Sequence, residues 1–344
     1  MRATTIHGKD DIRLSTVDDP TIVAPTDAIV SVTAACICGS DLWAYRGVSQ
    51  RQPGARIGHE FVGVVAEVGA EVTTLAPGDF VIAPFLWADG TCAYCADGLY
   101  TSCPDGGFWG EPGSDGGQGE AVRVPYADAT LVRLPEAPAA DEVAKVLALS
   151  DVMATGHHAA LGAGVVPGAT VAVVGDGAVG LCGVLAAHRL GAGRVIALGR
   201  NPARTAIATR FGATDIVDVR GDEAVAVVKE LTGGLGAQAV LECVGTQQSL
   251  GTAIAIARDG GQVGFVGVPH EVAEVDIHDM FDRNVGLVGG VAPARRYIDE
   301  LLRDVLAGTL DPSPVFDVTM PLAEVAAGYA AMDDRSALKV MLLP

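Results

Sequence analysis

One glycine-rich turn constrains the fold of this chain more than any other sequence feature. The apolar run Thr170–Val174 leads directly into glycines at the spacing G-x-G-x-x-G, and an apolar, helix-like segment follows. A short apolar run of this kind is typical of a strand buried on both faces of a parallel sheet. The glycines allow a tight turn and a close approach of the backbone to a ligand, and the helix N-terminus binds phosphate. The motif therefore predicts a doubly wound α/β domain with a dinucleotide site at Gly175, Gly177, Ala178, Val179 and Gly180.

The end of the next strand, Arg194–Leu198, bears on which dinucleotide is bound. An NAD enzyme places a carboxylate here, where it bonds the ribose hydroxyls. This chain has Gly199, Arg200 and Asn201 instead, with Arg204 one turn into the following helix. The glycine removes the carboxylate that would repel a 2′-phosphate, and arginines suit bidentate phosphate contacts. The pattern predicts NADP(H) in preference to NAD(H), and the alternative is two surface arginines with relaxed specificity.

A second stretch, residues 58–72 (GHEFVGVVAEVGAEV), points to a metal. His59 and Glu60 stand side by side in an apolar, strand-like run. Charged groups in such a run are costly to bury unless they are paired or bind a metal. Cys38 lies upstream, and a cysteine with a distant histidine is typical of a zinc site that has three protein ligands and one open position.

This stretch resembles the signature of the zinc-containing alcohol dehydrogenases, which belong to the medium-chain dehydrogenase/reductase superfamily. The match consists of Gly58, His59, Glu60, Gly63, Gly69 and Val72. The resemblance implies two domains. One is a GroES-like, mainly-β catalytic domain formed by residues 1–150 and 294–344. The other is a Rossmann cofactor domain of residues 151–293, with the active site in the cleft between them.

The resemblance also implies roles for residues around the zinc. Cys38, His59 and Asp151 would be the protein ligands, and Glu60 either a fourth ligand or a neighbour of the metal. Ser40 would hydrogen-bond the substrate oxygen and accept or relay its proton, and Asp41 would orient His59. Three of these residues have a plainer alternative: Cys38 as a buried thiol, and Ser40 and Asp151 as helix caps. The family commonly has a proton-relay histidine where this chain has Trp43, so we expect the proton to leave by another route, such as water.

A cysteine-rich lobe resembles the family's structural zinc site. The family spacing C-x2-C-x2-C-x7-C is kept here with an aspartate in the first position: Asp89, Cys92, Cys95 and Cys103. A carboxylate oxygen is an acceptable zinc ligand, so we expect a second, structural Zn²⁺. The alternative is a metal-free loop.

Further site residues follow from the resemblance alone. Phe85 and Trp109 fall where the family lines its substrate pocket, and ordinary core packing is the alternative for both. Val244, Val266, Val268 and Val291 fall near the nicotinamide position. Lys339 would contact cofactor phosphate.

Composition limits the partners and the compartment. The net charge of −19 argues against binding nucleic acid or anionic membranes. No apolar run approaches the roughly 20 residues that span a bilayer. Seven cysteines, three of them clustered, indicate metal ligands and buried thiols in a reducing cytoplasm. Strand pairing across a dimer axis is frequent in the family, so we expect a homodimer or a homotetramer.

The resulting hypothesis is a zinc-dependent alcohol dehydrogenase or carbonyl reductase that acts on a small-molecule alcohol or carbonyl. A polyol or amino-alcohol dehydrogenase of the same superfamily is the nearest alternative. A non-catalytic NADPH-binding protein is the alternative from another class.

Overall fold

The computed structural model describes residues 1–270 and 272–344 and divides into two compact units. The first unit comprises Met1–Asp151 with Pro293–Pro344, and the second comprises Val152–Ala292. Asp151 and Pro293 therefore lie in the first unit, whereas the sequence predicts both in the cofactor domain. Among the described residues, no helix combines the length and apolar character needed to cross a membrane.

The first part of the first unit consists mainly of short strands. In chain order its elements are β1 (Arg2–Gly8), β2 (Asp11–Thr16), β3 (Ala28–Cys36), α1 (Asp41–Tyr45), β4 (Ala55–Arg56), β5 (Glu60–Val68), β6 (Phe80–Ala83), β7 (Leu86–Trp87), α2 (Ala93–Ala96), β8 (Gly107–Phe108), β9 (Ala121–Val124), α3 (Ala127–Thr130), β10 (Val132–Arg133) and α4 (Val143–Leu147).

The second unit alternates helices and strands. Its elements are α5 (Val152–Gly162), β11 (Thr170–Val174), α6 (Ala178–Arg189), β12 (Arg194–Leu198), α7 (Pro202–Arg210), β13 (Asp215–Val217), α8 (Gly221–Leu231), β14 (Ala237–Glu242), α9 (Gln247–Ile256), β15 (Ala257–Phe265), α10 (Ile277–Arg283) and β16 (Gly286–Gly289). The chain then returns to the first unit with α11 (Ala294–Leu306), β17 (Val318–Pro321), α12 (Val325–Asp333) and β18 (Val340–Leu343).

The main sheet of the first unit brings distant parts of the chain to one place. Its strand order is β10-β6-β5-β3-β18-β17, with β9 also paired to β3. Cys36 at the end of β3 lies opposite Glu60 on β5 and also opposite Met341 on β18. This register places the residues that follow β3, begin β5 and precede β18 around one point.

Two glycines of the signature are required by close contacts in this unit. A side chain on Gly63 would overlap the carbonyl oxygen of Ser31 on the neighbouring strand β3. Gly58 has a φ of +94°, and a Cβ there would overlap the side chain of Gln118. Both positions therefore require glycine, because neither the β3 backbone nor the packed Gln118 side chain can move at low cost to make room for a Cβ.

Helix α11 shows how the returning chain is held in the first unit. Its buried residues follow a helical spacing along one face: Tyr297, Ile298, Leu301, Leu302 and Val305. Burying an apolar side chain of this size contributes about 1.5–3 kcal/mol relative to leaving it exposed.

The second unit has the predicted doubly wound architecture. Its six strands have the order β13-β12-β11-β14-β15-β16, and all neighbouring pairs are parallel. This order reverses direction between β11 and β14, which is where such sheets bind nucleotides at their carboxyl edge. Val174, the last residue of β11, lies opposite Leu198 on β12 and Glu242 on β14, so three strand ends meet at that edge.

Candidate metal centre and cofactor site

Four potential zinc ligands converge in the first unit. Cys38, His59, Glu60 and Asp151 each offer a ligand atom, and these atoms all lie within 4.8 Å of one another. Oδ2 of Asp151 is 3.6 Å from the Cys38 sulfur and 3.5 Å from Nε2 of His59. Zinc bonds of about 2.0–2.3 Å in a tetrahedron separate ligand atoms by roughly 3.3–3.8 Å. The donor atoms and their spacing therefore fit Zn²⁺.

The electrostatics of the cluster also fit a cation. Burial, and then the charges of Glu60 and Asp151, raise the pKa of the Cys38 thiol. Burial acts to lower the pKa of His59, but the charges of Asp41 and Cys38 outweigh it and raise that pKa well above its usual range. A bound metal ion instead lowers the pKa of each ligand, because it favours the deprotonated form.

A chain of hydrogen bonds supports His59 from behind. Nδ1 of His59 lies 3.3 Å from Oδ1 of Asp41. The other oxygen of Asp41 accepts from the Cys38 backbone amide at 3.0 Å and from Nε2 of Gln118 at 3.2 Å. The Tyr329 hydroxyl in turn donates to Oε1 of Gln118 at 3.0 Å. With Nδ1 directed to the carboxylate, Nε2 of His59 is the nitrogen that faces the other ligand atoms.

Both oxygens of Glu60 already have protein partners. Oε1 lies 2.7 Å from the ammonium of Lys339, and Oε2 accepts a hydrogen bond from the Cys36 thiol at 3.2 Å. Lys339 is 1% exposed and also donates to the Ile37 carbonyl. Burial, and then the charge of Glu60, raise the pKa of the Cys36 thiol well above its usual range, so the thiol keeps its proton.

The predicted contact of Lys339 with cofactor phosphate is therefore corrected. In this structure its ammonium is closed to solvent and neutralises Glu60, because the register of β3, β5 and β18 carries both residues to the same point.

The remaining residues predicted around the substrate differ in their placement. Ser40 stands at the N-cap of α1, yet its side chain makes no capping hydrogen bond. Phe85 packs edge-on against the His59 ring with the centroids 6.3 Å apart. Trp109 is 3% exposed and packs on Phe61 and Trp87, while its indole donates to the Pro84 carbonyl. These contacts favour the alternative of core packing for Trp109, and its pocket role stays a prediction.

The cysteine-rich lobe forms a second group of potential ligands. Asp89, Cys92, Cys95 and Cys103 also present ligand atoms within 4.8 Å of one another. Oδ1 of Asp89 accepts from the thiols of Cys95 and Cys103 at 3.2 and 3.3 Å. Burial, and then contacts with Asp89 and Cys92, raise the pKa of Cys95. Three sulfurs and one carboxylate oxygen at this separation fit a tetrahedral Zn²⁺.

The glycine-rich turn of the second unit has the geometry of a phosphate cradle. Gly175 has a φ of +116°, and a Cβ there would lie 2.7 Å from the Val244 side chain. A side chain on Gly180 would overlap the carbonyl oxygen of Gly175. Gly177 is the N-cap of α6, and a Cβ there would meet nothing within 4 Å, so open space lies before the helix N-terminus. Ala178 and Val179 begin that helix.

The surroundings of Gly199, just after β12, differ from those that the sequence predicts. Gly199 was expected to remove the carboxylate that repels a 2′-phosphate, but Asp176 supplies one from the adjacent turn. Its Oδ2 accepts from the amides of Arg200 and Asn201 at 3.0 and 3.2 Å. Its Oδ1 lies 3.8 Å from the guanidinium of Arg204. Because β11 and β12 are neighbouring parallel strands, the residues that follow them lie close together. Asp176 is the residue between the first two glycines of the G-x-G-x-x-G motif.

The four valines predicted near the nicotinamide follow the ends of the central and edge strands. Val244, Val268 and Val291 are 42%, 58% and 55% exposed, and Val266 is half-buried. Exposed valines at the carboxyl edge of a parallel sheet are available to a ligand.

Comparison with known proteins assigns the family. A family model described as zinc-binding dehydrogenase matches residues 178–307, and one described as alcohol dehydrogenase GroES-like domain matches residues 24–136. The chain is 36% identical over 339 residues to the "Probable zinc-binding alcohol dehydrogenase" of Mycobacterium tuberculosis, which covers 98% of this chain and 86% of the relative. This chain belongs to the zinc-binding alcohol dehydrogenase family.

Other members support the same assignment over the full length. The sorbitol dehydrogenase of Bacillus subtilis is 30% identical over 352 residues, with 100% of this chain and 97% of the relative covered. The alcohol dehydrogenase of Thermus sp. ATN1 superposes with a TM-score of 0.92 at 34% identity, over 100% of this chain and 99% of the other. The predicted family and the predicted combination of a GroES-like and a Rossmann-like domain are confirmed. Membership also makes the chain an oxidoreductase of the zinc and nicotinamide type.

Several functional contacts lay beyond the sequence argument. Gln118, Tyr329 and the pairing of Lys339 with Glu60 were not predicted as parts of the metal centre. The one available signal was that a buried glutamate requires a positive partner. That signal does not say which lysine or arginine supplies the charge.

Proposed function

We propose that this family member exchanges hydride between a small alcohol and a nicotinamide cofactor, as a zinc-dependent alcohol dehydrogenase or carbonyl reductase. The observation that carries the proposal is the convergence of Cys38, His59 and Asp151 in one buried cluster. Three protein ligands are the number that catalytic zinc sites use, since the fourth position is left for water or substrate.

Each residue near the cluster has a part in the proposed reaction. When bound, zinc supplies a Lewis acid that lowers the pKa of an alcohol hydroxyl, and the nicotinamide supplies the hydride acceptor. Ser40 accepts a hydrogen bond from the substrate hydroxyl and relays its proton to water, releasing its own proton as it takes the other; its side chain is not used to cap α1. Asp41 orients His59 and holds its tautomer. Glu60 acts as a neighbour of the metal, and Phe85 lines the substrate side of His59.

The cofactor is proposed to lie along the carboxyl edge of the second unit's sheet. Its pyrophosphate would occupy the open space at Gly177, and Val244, Val266, Val268 and Val291 would lie towards the nicotinamide. We propose NADP(H) in preference to NAD(H) because Arg200 and Arg204 can both neutralise a 2′-phosphate. Asp176 opposes this preference.

The proposal extends to zinc content, assembly and compartment. A second zinc in the lobe is supported by the donor set of Asp89 and three cysteines. A homodimer or homotetramer is supported by β16, which lies at the edge of its sheet and has one partner strand among the described residues. The reducing cytoplasm is supported by the seven cysteines, none of which forms a disulfide in the described part of the chain.

The test measures metal and turnover in the same preparation. Zinc content is determined by elemental analysis, and initial rates are followed by nicotinamide absorbance. Primary alcohols, secondary alcohols, polyols, amino alcohols and their carbonyls are compared with each cofactor. We expect Cys38→Ser to lower kcat/KM by more than about 100-fold, since loss of a mere outer partner already costs 10–100-fold. Cys182→Ala, which changes a buried cysteine outside both clusters, is the matched control.

The outcomes separate the candidate functions. Turnover confined to polyols would favour the polyol dehydrogenase alternative, which the similarity to a sorbitol dehydrogenase motivates. Protein that binds NADPH but holds no zinc and turns over no substrate would refute the proposal in favour of a non-catalytic NADPH-binding protein.

A further inference from the structure

The side chain of Asp176 lies beside Gly199, just after β12, and nucleotide-binding domains of this type carry their ribose-binding carboxylate at the end of that strand. A Cβ on Gly199 would lie 2.5 Å from Cβ and 3.0 Å from Oδ2 of Asp176. A side chain at the end of β12 and the side chain of Asp176 therefore exclude each other. The carboxylate that other such domains carry on β12 is replaced here by one that reaches across from the glycine-rich turn.

The two oxygens of this carboxylate have different partners. Oδ2 accepts from the amides of Arg200 and Asn201, so it anchors the loop that carries Arg200. Oδ1 lies 3.8 Å from Nη1 of Arg204, and the two side chains are 27% and 15% exposed. Because Asn201 also caps α7 by accepting from the amides of Ala203 and Arg204, the loop and the first turn of the helix are held together.

We propose that Asp176 is a specificity-determining residue that limits the preference for NADP(H) over NAD(H). A ribose 2′-hydroxyl can donate to Oδ1, which favours NAD(H). A 2′-phosphate would meet the negative charge of Asp176 and would compete with it for Arg204. The charge of Asp176 therefore opposes the attraction that Arg200 and Arg204 exert on NADP(H). This inference rests on the proposed use of a nicotinamide dinucleotide at this site.

The substitution Asp176→Asn tests the charge while keeping an oxygen for the loop amides. The dissociation constants of NADPH and NADH are measured by fluorescence titration, and kcat/KM is measured with both cofactors. We expect the ratio that expresses NADP(H) preference to rise at least about 10-fold in both measurements, because loss of the charge removes the repulsion of a 2′-phosphate and weakens the hydrogen bond from a ribose 2′-hydroxyl. Asp176→Ser, which also removes the charge but has a shorter side chain, gives a second, independent variant.

Two controls separate this effect from general electrostatics and from loop damage. Asp218→Asn removes an exposed acidic charge just after β13, the strand next to β12. We expect this variant to change the cofactor ratio by less than about 2-fold, since exposed charges are screened. In Arg204→Gln we expect the ratio to fall. When Asp176→Asn is added to Arg204→Gln, the preference for NADP(H) should rise by a smaller factor than when Asp176→Asn is made in the natural chain.

The results that would overturn the inference are distinct from failure of the proposed function. An unchanged ratio, a ratio that falls, or an equal loss of affinity for both cofactors in Asp176→Asn would each refute it. An equal loss would show that Asp176 only anchors the loop. Absence of turnover in the natural chain would refute the proposed function, yet the two binding constants would still decide the role of Asp176.

Discussion

Lys339 offers the sharpest test of how the metal centre is built, because its removal leaves one specific charge without a partner. Lys339 is 1% exposed and Glu60 is fully buried, and their charged atoms lie 2.7 Å apart. The ammonium also lies 5.8 Å from the centre of the Phe316 ring. Methionine has nearly the length of lysine, and its side chain is apolar like the aliphatic part of the lysine side chain. Lys339→Met therefore keeps most of the packing while removing the charge and its hydrogen bonds.

The expected cost follows from the burial of Glu60. Breaking a buried ion pair by removing one partner typically costs about 3–5 kcal/mol, because the remaining charge is left in a medium that solvates it poorly. The Cys36 thiol remains as a hydrogen-bond donor to Glu60, but a neutral thiol is a weak donor and does not replace a cation. We therefore expect Lys339→Met to lose about 3–5 kcal/mol of unfolding free energy in metal-chelated protein.

The double variant Glu60→Gln with Lys339→Met is the matched control. Replacing a buried ion pair by neutral groups of similar volume is often close to neutral, so we expect this variant to recover most of the loss. Unfolding is followed in guanidinium by circular dichroism, with and without zinc. In zinc-loaded Lys339→Met the deficit should be smaller, since the freed carboxylate then has a cation nearby. A loss under about 1 kcal/mol in the single variant, or a double variant as unstable as the single one, would refute the reasoning.

Three further predictions address the supports of the two candidate zinc clusters and of the fold. Gln118→Glu places a carboxylate against Asp41, and competition with a chromophoric chelator should show catalytic zinc bound about 10–100-fold more weakly. Asp89→Cys should keep two zinc ions per chain by elemental analysis and Asp89→Ala should keep one, whereas unchanged content in the latter would contradict a ligand role. Burial acts to raise the pKa of Asp128, but hydrogen bonds from Thr74 and Thr73 outweigh it and lower that pKa. The stabilisation that Asp128 provides is therefore present above the pKa of an aspartate in the unfolded chain. It is lost as the pH falls through the lower pKa of Asp128 in the folded protein. Asp128→Asn should cost about 1–2 kcal/mol at pH 7 by denaturant unfolding and progressively less below about pH 4.

The fold was predictable wherever the determining features were local in sequence. The apolar run into the G-x-G-x-x-G turn predicted a doubly wound sheet, and the observed strand order confirms it. The signature glycines Gly63 and Gly58 also stand out in the sequence, although the backbone of β3 and the Gln118 side chain that they face lie far away along the chain. Such steric requirements leave a clear trace in the sequence, because no other residue meets them.

The contacts that complete the site were not predictable, because they depend on register between distant segments. Lys339 and Glu60 are far apart in the chain, and they meet only because Cys36 pairs with Glu60 on one side and Met341 on the other. Trp109 was ambiguous for a different reason. A tryptophan near a pocket and one in a core look the same in sequence, and its neighbours Phe61 and Trp87 decide between them.

The contacts around the metal centre suggest why so many acidic groups can gather there. If zinc is held as proposed, its two positive charges balance the thiolate of Cys38 and the carboxylate of Asp151. Asp41 is satisfied by hydrogen bonds from the Cys38 amide and Gln118 and by His59. Glu60 alone would then need the metal, were it not for Lys339. Because each anion has its own partner, the glutamate has no electrostatic need to occupy the fourth coordination position, and that position stays available to the substrate.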